Sequence, residues 1–289
     1  MRFLIGTGLL ALMFAIGHMD GGFIASALAD GMPAPGEITL QAAATPVMED
    51  LIAFHNLLLI IITAIVVFVT LLLVYVMVRF NRKANPTPSK TTHHTGIEVA
   101  WTVLPVVILV IIAIPSFRLL YKEIVIPQAE LTVKATGYQW YWGYEYPDNG
   151  DLQFDSNMIA DADLKPGEPR LLAADAAMVV PVDTTVRVIV TGADVIHSFA
   201  VPSFGVKIDA IPGRLNETWF RATKTGMFYG QCSELCGQAH AFMPINIKVV
   251  PKEEFAAWLE QQKKSADAGS SSGPVKTALA ETASANTAR

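Results

Sequence analysis

The chain has 289 residues, of which 52% are hydrophobic and only 16% charged, with a formal net charge of −5. Soluble domains carry about 25% charged residues, so this composition excludes a disordered chain and argues against a wholly soluble one. The surplus apolar content must sit in a few long runs if the remainder is to face water.

Arg2 precedes an apolar stretch over 3–16, and Ala27, Leu28 and Ala29 follow as a small-residue cleavage site. This order predicts a removed export signal over 1–29, followed by an exported N-terminal segment over 30–50. An uncleaved anchor helix is the competing reading, weakened because the stretch is short and is broken by Gly17, His18 and Asp20.

Residues 51–78, 28 in all, contain no Asp, Glu, Lys or Arg. A helix of that length exceeds the roughly 30 Å hydrocarbon core of a bilayer. A second uncharged run of 19 residues, 99–117, lies within an expected helix over 97–120. Buried core helices seldom reach such lengths without a polar face, so both runs read as membrane spans. Pro105 and Pro115 in the second are tolerated where neighbours satisfy the freed backbone groups. The loop between them, 79–96, holds Arg79, Arg82, Lys83 and Lys90 and no acid, which keeps it cytoplasmic. Both ends of the hairpin then lie outside, in agreement with an exported N-terminus. A cleaved signal before two spans also favours a bacterial source.

Residues 121–262 form the exported domain. Clusters of β-formers at 131–135, 139–146, 185–190, 217–220 and 245–250 alternate with Gly and Pro breaks, the pattern of a β-sandwich or barrel. A short helix over 252–262 closes it, and the Ala, Ser, Gly and Thr bias of 263–289 predicts a disordered tail. The stretch 121–260 holds 18 acids against 11 basic residues, and 145–163 holds six acids with no Lys or Arg. Such a run is either a solvated face or a patch that steers a basic partner.

The only two cysteines, Cys232 and Cys236, fall in Gln231-Cys-Ser-Glu-Leu-Cys-Gly-Gln-Ala-His-Ala-Phe-Met-Pro244, a Cys-x3-Cys-x3-His-x2-Met loop. Outside the cytoplasm two cysteines default to a disulfide, which would close only a tiny loop and leave His240 and Met243 unexplained. His197, in Asp194-Val-Ile-His-Ser-Phe199 between strands, is the other histidine of the domain and completes a ligand set if it folds beside the loop. Two thiolates, two imidazoles and a thioether suit copper, with zinc next. A Cys2His2 zinc site leaves Met243 without a role, and a mononuclear blue-copper site needs one Cys. The second sulfur allows two bridging thiolates between two copper ions, with one imidazole on each.

These residues, together with Gly137-Tyr-Gln-Trp-Tyr-Trp-Gly-Tyr-Glu-Tyr146, Val195-Ile-His-Ser-Phe-Ala-Val-Pro202 and Asp209-Ala-Ile-Pro-Gly-Arg214, resemble subunit II of the haem-copper cytochrome c oxidases. The resemblance runs from the first span through the closing helix. It implies a two-helix transmembrane hairpin followed by an all-β cupredoxin-like barrel, held in a bacterial inner membrane with that domain in the periplasm. It implies Cys232 and Cys236 as bridging thiolates, His197 and His240 as terminal ligands, and Met243 and the Glu234 carbonyl as axial ligands of two copper ions. The Glu234 carboxylate matches the ligand of a magnesium or manganese ion shared with subunit I. Trp140 matches the aromatic point where electrons arrive, Glu98 the cytoplasmic mouth of a proton-uptake path, and Asp209 and Arg214 the route towards subunit I. Glu145, Asp148, Asp151, Asp175 and Asp194 match acidic docking positions for a basic cytochrome c. Implied partners are subunits I and III and that cytochrome, with no nucleic acid. The implied activity is acceptance of electrons for oxygen reduction coupled to proton pumping.

Plainer readings stand beside these. Trp140 and Trp142 fit core or interface aromatics, and Glu98 fits an acid favoured at a helix start. No Cys-x2-Cys-His motif occurs, which excludes a fused c-type haem domain. A copper subunit delivering electrons to another terminal reductase, such as the nitrous oxide enzyme, a membrane-anchored copper carrier, a copper-free quinol-oxidase-type subunit and a disulfide-bonded interaction module are the competing functions.

Overall fold

The computed structural model describes residues 31–150 and 152–270; the expected export signal, Asp151 and the end of the tail lie outside them. Two long helices come first, α1 (Pro46–Arg79) and α2 (Thr95–Ile124). Thr45 caps α1, its hydroxyl accepting from Met48 N at 3.1 Å, with Pro46 in the first turn. His94 caps α2, its Nδ1 accepting from Ile97 N at 3.3 Å. The helices begin five and two residues before the expected spans at 51 and 97, because capping rather than hydropathy sets where a helix starts. Pro105 and Pro115 lie inside α2. The most apolar window of each helix has no buried residue, so two all-round apolar helices leave their surfaces to a lipid or protein environment.

The rest of the described chain is a two-layer β domain. One sheet has the order β3-β2-β1-β5-β8 and the other β4-β10-β9-β6-β7. The first comprises β1 (Leu131–Tyr138), β2 (Tyr141–Tyr146), β3 (Leu152–Ser156), β5 (Val186–Gly192) and β8 (Asn216–Phe220). The second comprises β4 (Met178–Pro181), β6 (His197–Val201), β7 (Val206–Ala210), β9 (Gly226–Cys232) and β10 (Pro244–Val250). β1 pairs in parallel with β5, and β4 with β10; the other pairings are antiparallel. Strict alternation of buried and half-buried residues in β1, β2 and β5 turns Val133, Trp142, Tyr144, Val188 and Val190 inward, where they meet Phe199, Phe204, Ile245 and Ile247. β6 is buried along its whole length and carries no alternation for the sequence to show. His197 therefore begins a strand, where a position between strands was expected.

The closing helix, α3, spans Lys252–Ser270. Its apolar residues at Phe255, Trp258 and Leu259 follow helical spacing, and the Trp258 ring lies 5.4 Å from that of Tyr146. It runs past the expected end at 262 and takes in the start of the expected tail.

The segment before α1 straps the domain to the helices. Tyr229 N donates to Gly31 O at 2.8 Å, Ala44 N to Ser203 O and Thr223 N to Ala44 O, each at 2.9 Å. A Cβ at Gly31 would lie 2.3 Å from Met227 O, so only glycine fits that approach. The Thr45 hydroxyl also donates to Phe204 O at 2.7 Å. From the other helix, Lys122 Nζ reaches Pro46 O at 3.0 Å and Asp50 Oδ2 at 2.5 Å, while its carbonyl accepts from Trp219 Nε1 at 3.0 Å.

Candidate metal centre

Strand register brings the ligand types together. Phe199 of β6 pairs with Cys232 of β9, and Ser233 N donates to Ser198 O at 3.1 Å just beyond, so the start of β6 lies against the chain leaving β9. That places His197 beside Cys232, with its Nδ1 4.0 Å from the sulfur. The chain then turns through Cys236 and Gly237 into a short 3-10 turn, His240–Phe242, before β10. The two sulfurs are 3.8 Å apart, far beyond the roughly 2.05 Å of a disulfide, and both thiols are free. From Cys236 Sγ, His240 Nδ1 and Met243 Sδ each lie at 3.5 Å, and Glu234 O lies 3.3 Å from Cys232 Sγ. All six expected copper-ligand residues thus converge, with the donor atoms of His197, Cys232 and Cys236 within 4.8 Å of one another. Cys232, Cys236 and Met243 are buried and His197 is fully so; His240 is half-buried.

The electrostatics favour one thiolate. Burial opposes charge on Cys232, but its contacts with His197, the Glu234 and Ser198 backbone and Cys236 outweigh that and bring its pKa down to about 7. Burial and the neighbouring Cys232 charge push the Cys236 thiol up to about 12. Burial alone would lower the His197 pKa, yet Cys232 and Asp194 raise it overall. Burial likewise works against the Asp194 charge, and hydrogen bonds from His197, Val195 and Gln139 prevail, holding that carboxyl below its ordinary range. Asp194 Oδ1 accepts from His197 Nε2 at 2.8 Å. That bond places a proton on Nε2 and aims Nδ1 at Cys232, so that once Nδ1 is unprotonated its lone pair faces the sulfurs, the arrangement a metal-binding imidazole needs. Soft sulfurs, two imidazoles and a thioether in a buried pocket fit copper.

Both tryptophans of the aromatic segment touch the ligand loop. The half-buried Trp140 donates from Nε1 to Cys236 O at 3.3 Å. Gly237, at φ +126°, makes room for it: a Cβ there would lie 2.9 Å from the indole. Trp142 is wholly buried, donates to Met243 O at 3.3 Å and packs edge-on against Phe199. It is a core aromatic that also anchors the loop.

The remaining expected site residues surround this cluster or lie far from it. Glu234 is exposed on the loop, and Asp209 and Arg214 are exposed on and after β7. Glu98 sits in the first turn of α2, at the end away from the β domain, with Oε1 3.4 Å from His94 N. Among the acids, Glu145 pairs with Lys134 at 2.9 Å. Asp148 accepts from Thr132 N and Asp175 from Asn157 N, both at 2.8 Å. Gln139 was given no role by sequence reasoning, yet its Nε2 donates to Cys236 O at 2.8 Å; its place beside Trp140 is the one signal the sequence held.

Two all-round apolar helices, a cupredoxin-like β domain and a Cys-Cys-His-Met loop with its distant histidine define a two-span membrane protein of the copper-binding oxidase-subunit class. Residues 131–250 match the family described as "Cytochrome C oxidase subunit II, periplasmic domain", and 33–119 match the corresponding transmembrane domain. A probable cytochrome c oxidase subunit 2 from Rickettsia felis is 57% identical over 234 residues, covering 81% of this chain and 74% of that protein. Cytochrome c oxidase subunit 2 of Cereibacter sphaeroides is 51% identical over 251 residues, covering 81% and 82% respectively. The solved periplasmic domain of cytochrome oxidase subunit II from Bradyrhizobium japonicum is 67% identical, covers 49% of this chain and 99% of that one, and aligns with a TM-score of 0.46. The chain belongs to the cytochrome c oxidase subunit II family.

Proposed function

We propose that this subunit accepts electrons one at a time from a reduced cytochrome c at a binuclear copper centre and delivers them to the haem of subunit I, where oxygen is reduced to water and protons are pumped. The observation that carries the reading is the convergence of His197, Cys232, Cys236, His240, Met243 and the Glu234 carbonyl around two unbonded sulfurs 3.8 Å apart. Cys232 and Cys236 would hold the two ions through their thiolates, His197 and His240 would each bind one through an imidazole, and the Met243 thioether and the Glu234 carbonyl would complete the ligand set. When bound, the copper pair supplies a one-electron acceptor whose charge is spread over two ions.

The chain's own residues do the rest. Trp140 presents its indole beside the Cys236 carbonyl as the arrival point for electrons. Glu145, Asp148, Asp151, Asp175 and Asp194 give the approaching partner a negative field, which speeds encounter with a basic protein. Burial of the thiols keeps water from the ligands. Asp209 and Arg214 line the exit towards subunit I, the exposed Glu234 carboxylate takes a magnesium or manganese ion at that border, and Glu98 serves proton uptake at the cytoplasmic end of α2. In this arrangement residues 1–29 are removed on export, the loop 79–96 is cytoplasmic, the β domain is periplasmic in a bacterial inner membrane, and subunit III joins the complex.

Metal analysis and electron paramagnetic resonance of the oxidase purified from membranes test the reading. The expected result is two coppers in this subunit sharing one unpaired electron, quenched by reduced cytochrome c. One copper with an unshared spectrum, or a metal-free disulfide, would return the chain to the copper-carrier or interaction-module readings.

A further inference from the structure

Residues 137–140 form a bracket that touches both sides of the ligand cluster. On the His197 side, Gln139 N donates to Asp194 Oδ2 at 2.7 Å, while Asp194 Oδ1 accepts from Val195 N at 2.6 Å and from His197 Nε2 at 2.8 Å. Ala193 N donates to Gly137 O at 2.9 Å, and a Cβ at Gly137 would lie 2.8 Å from the imidazole ring. On the Cys236 side, the Gln139 and Trp140 side chains both donate to the Cys236 carbonyl, at 2.8 and 3.3 Å. One short segment therefore spans from the imidazole of one ligand to the backbone of another. The Asp194 side chain is 35% exposed, but three N–H groups, one from Gln139 and two from its own segment, converge on its two oxygens.

We propose that Asp194 and Gln139 are positioning residues: together they lock the Trp140 segment, His197 and Cys236 into one unit. Asp194 fixes the orientation and tautomer of the imidazole, and Gln139 fixes the carbonyl that meets the indole. This rests on the copper reading above and gives Asp194 a task distinct from docking. Carboxylates that hold a metal-binding imidazole typically change metal affinity or activity by roughly ten- to a hundredfold when replaced. Electron transfer between fixed sites also profits from a framework that does not move as charge arrives.

Asp194→Asn and Gln139→Leu in the intact, membrane-purified oxidase test the proposal. The asparagine keeps the shape of aspartate but sets an amide N–H either against the Gln139 N–H on one side or against the Val195 and His197 N–H groups on the other. Copper retention against a chelating competitor should fall roughly tenfold, towards the lower end of that range, with an altered copper hyperfine pattern. Electron acceptance from cytochrome c should drop by a similar factor at low and high salt alike. Gln139→Leu should give a several-fold loss of acceptance with an unchanged salt slope. Asp194→Glu, which restores the carboxylate, should recover the hyperfine pattern. Wild-type copper retention and spectrum in Asp194→Asn, with only a rise in KM for cytochrome c that salt erases, would make Asp194 a docking charge and overturn the proposal. Absence of a shared copper signal from the unmutated oxidase would instead remove the copper reading, an outcome independent of either variant.

Discussion

His197 and Cys232 are held by paired strands, whereas Cys236, His240 and Met243 ride on the turn that joins β9 to β10. The first half is built by register: once β6 and β9 pair, an imidazole and a sulfur face each other with no further choice to make. The second half needs outside help. Gly237 leaves space, Trp140 and Gln139 grip the Cys236 carbonyl, and Trp142 grips that of Met243. The two thiols feel the difference, one drawn towards the thiolate and the other away from it. A metal centre can thus be half scaffold and half clasp.

Replacing Cys236 by Ser breaks the clasp side most completely. It removes a soft sulfur donor, so the copper signal and cytochrome c-driven turnover of the purified oxidase should both be almost abolished, while the domain, whose strands do not depend on that atom, stays folded. Full turnover in this variant would sink the assignment of the loop.

Glycine substitutions separate the halves. Gly137→Ala drives a Cβ to 2.8 Å from the His197 ring, overpacking that costs about 1–3 kcal/mol. It should lower the unfolding midpoint and perturb the copper spectrum together. Gly237→Ala places an L side chain at φ +126° against Trp140, a backbone strain of about 1–3 kcal/mol. It should act chiefly on the loop, shifting Trp140 fluorescence and electron acceptance more than global stability. Equal effects of both on the unfolding midpoint would show the halves to be less distinct than their contacts imply.

A smaller effect appears with pH in the metal-free protein. Cys232 titrates near 7 in the fold against 9 for a free thiol, so its contribution to stability is present above pH 9 and fades as pH falls through 7. Cys236, raised to about 12, acts in the opposite sense: its contribution is present below pH 9 and is lost as pH climbs through 12. Alkylation followed by mass spectrometry should therefore label Cys232 first, with an inflection near pH 7, and leave Cys236 largely unmodified at that pH. Equal labelling of the two would contradict the asymmetry.

Least of all should come the joint between helices and domain. The Lys122 and Asp50 side chains are 35% and 55% exposed, and such pairs contribute at most about 1 kcal/mol. Lys122→Met should move the thermal midpoint of the oxidase only slightly. Trp219→Phe removes one hydrogen bond, again about 1 kcal/mol.

The sequence announced the spans, because charge-free runs have no other soluble use, and the ligand loop, because four metal-binding side chains stand within a dozen residues. It also suggested the strands whose faces alternate, such as β1 and β5. Strands without alternation were hidden: β4 and β6 are buried on both faces, and periodicity cannot register a strand with no wet side. The true length of α3 was obscured by composition. The run after Gln262 looked like a low-complexity tail, although Lys and Ala extend a helix readily once packing has started it. Gln139 was silent for a different reason. Its partners, Cys236 and Asp194, lie 97 and 55 positions away, and only the register of two sheets brings them within reach.

The strap at Gly31 and Ala44 bears on how the protein is made. Gly31 bonds to Tyr229 of β9 and Ala44 to Thr223 between β8 and β9, so a segment made before both apolar helices is fastened to parts of the β domain made after them. Such a ring cannot close until β9 has emerged, and closure across a long stretch costs entropy that only the finished core repays. Both apolar helices have therefore been made by the time the strap closes, and its closure ties the residues before the hairpin to the domain after it.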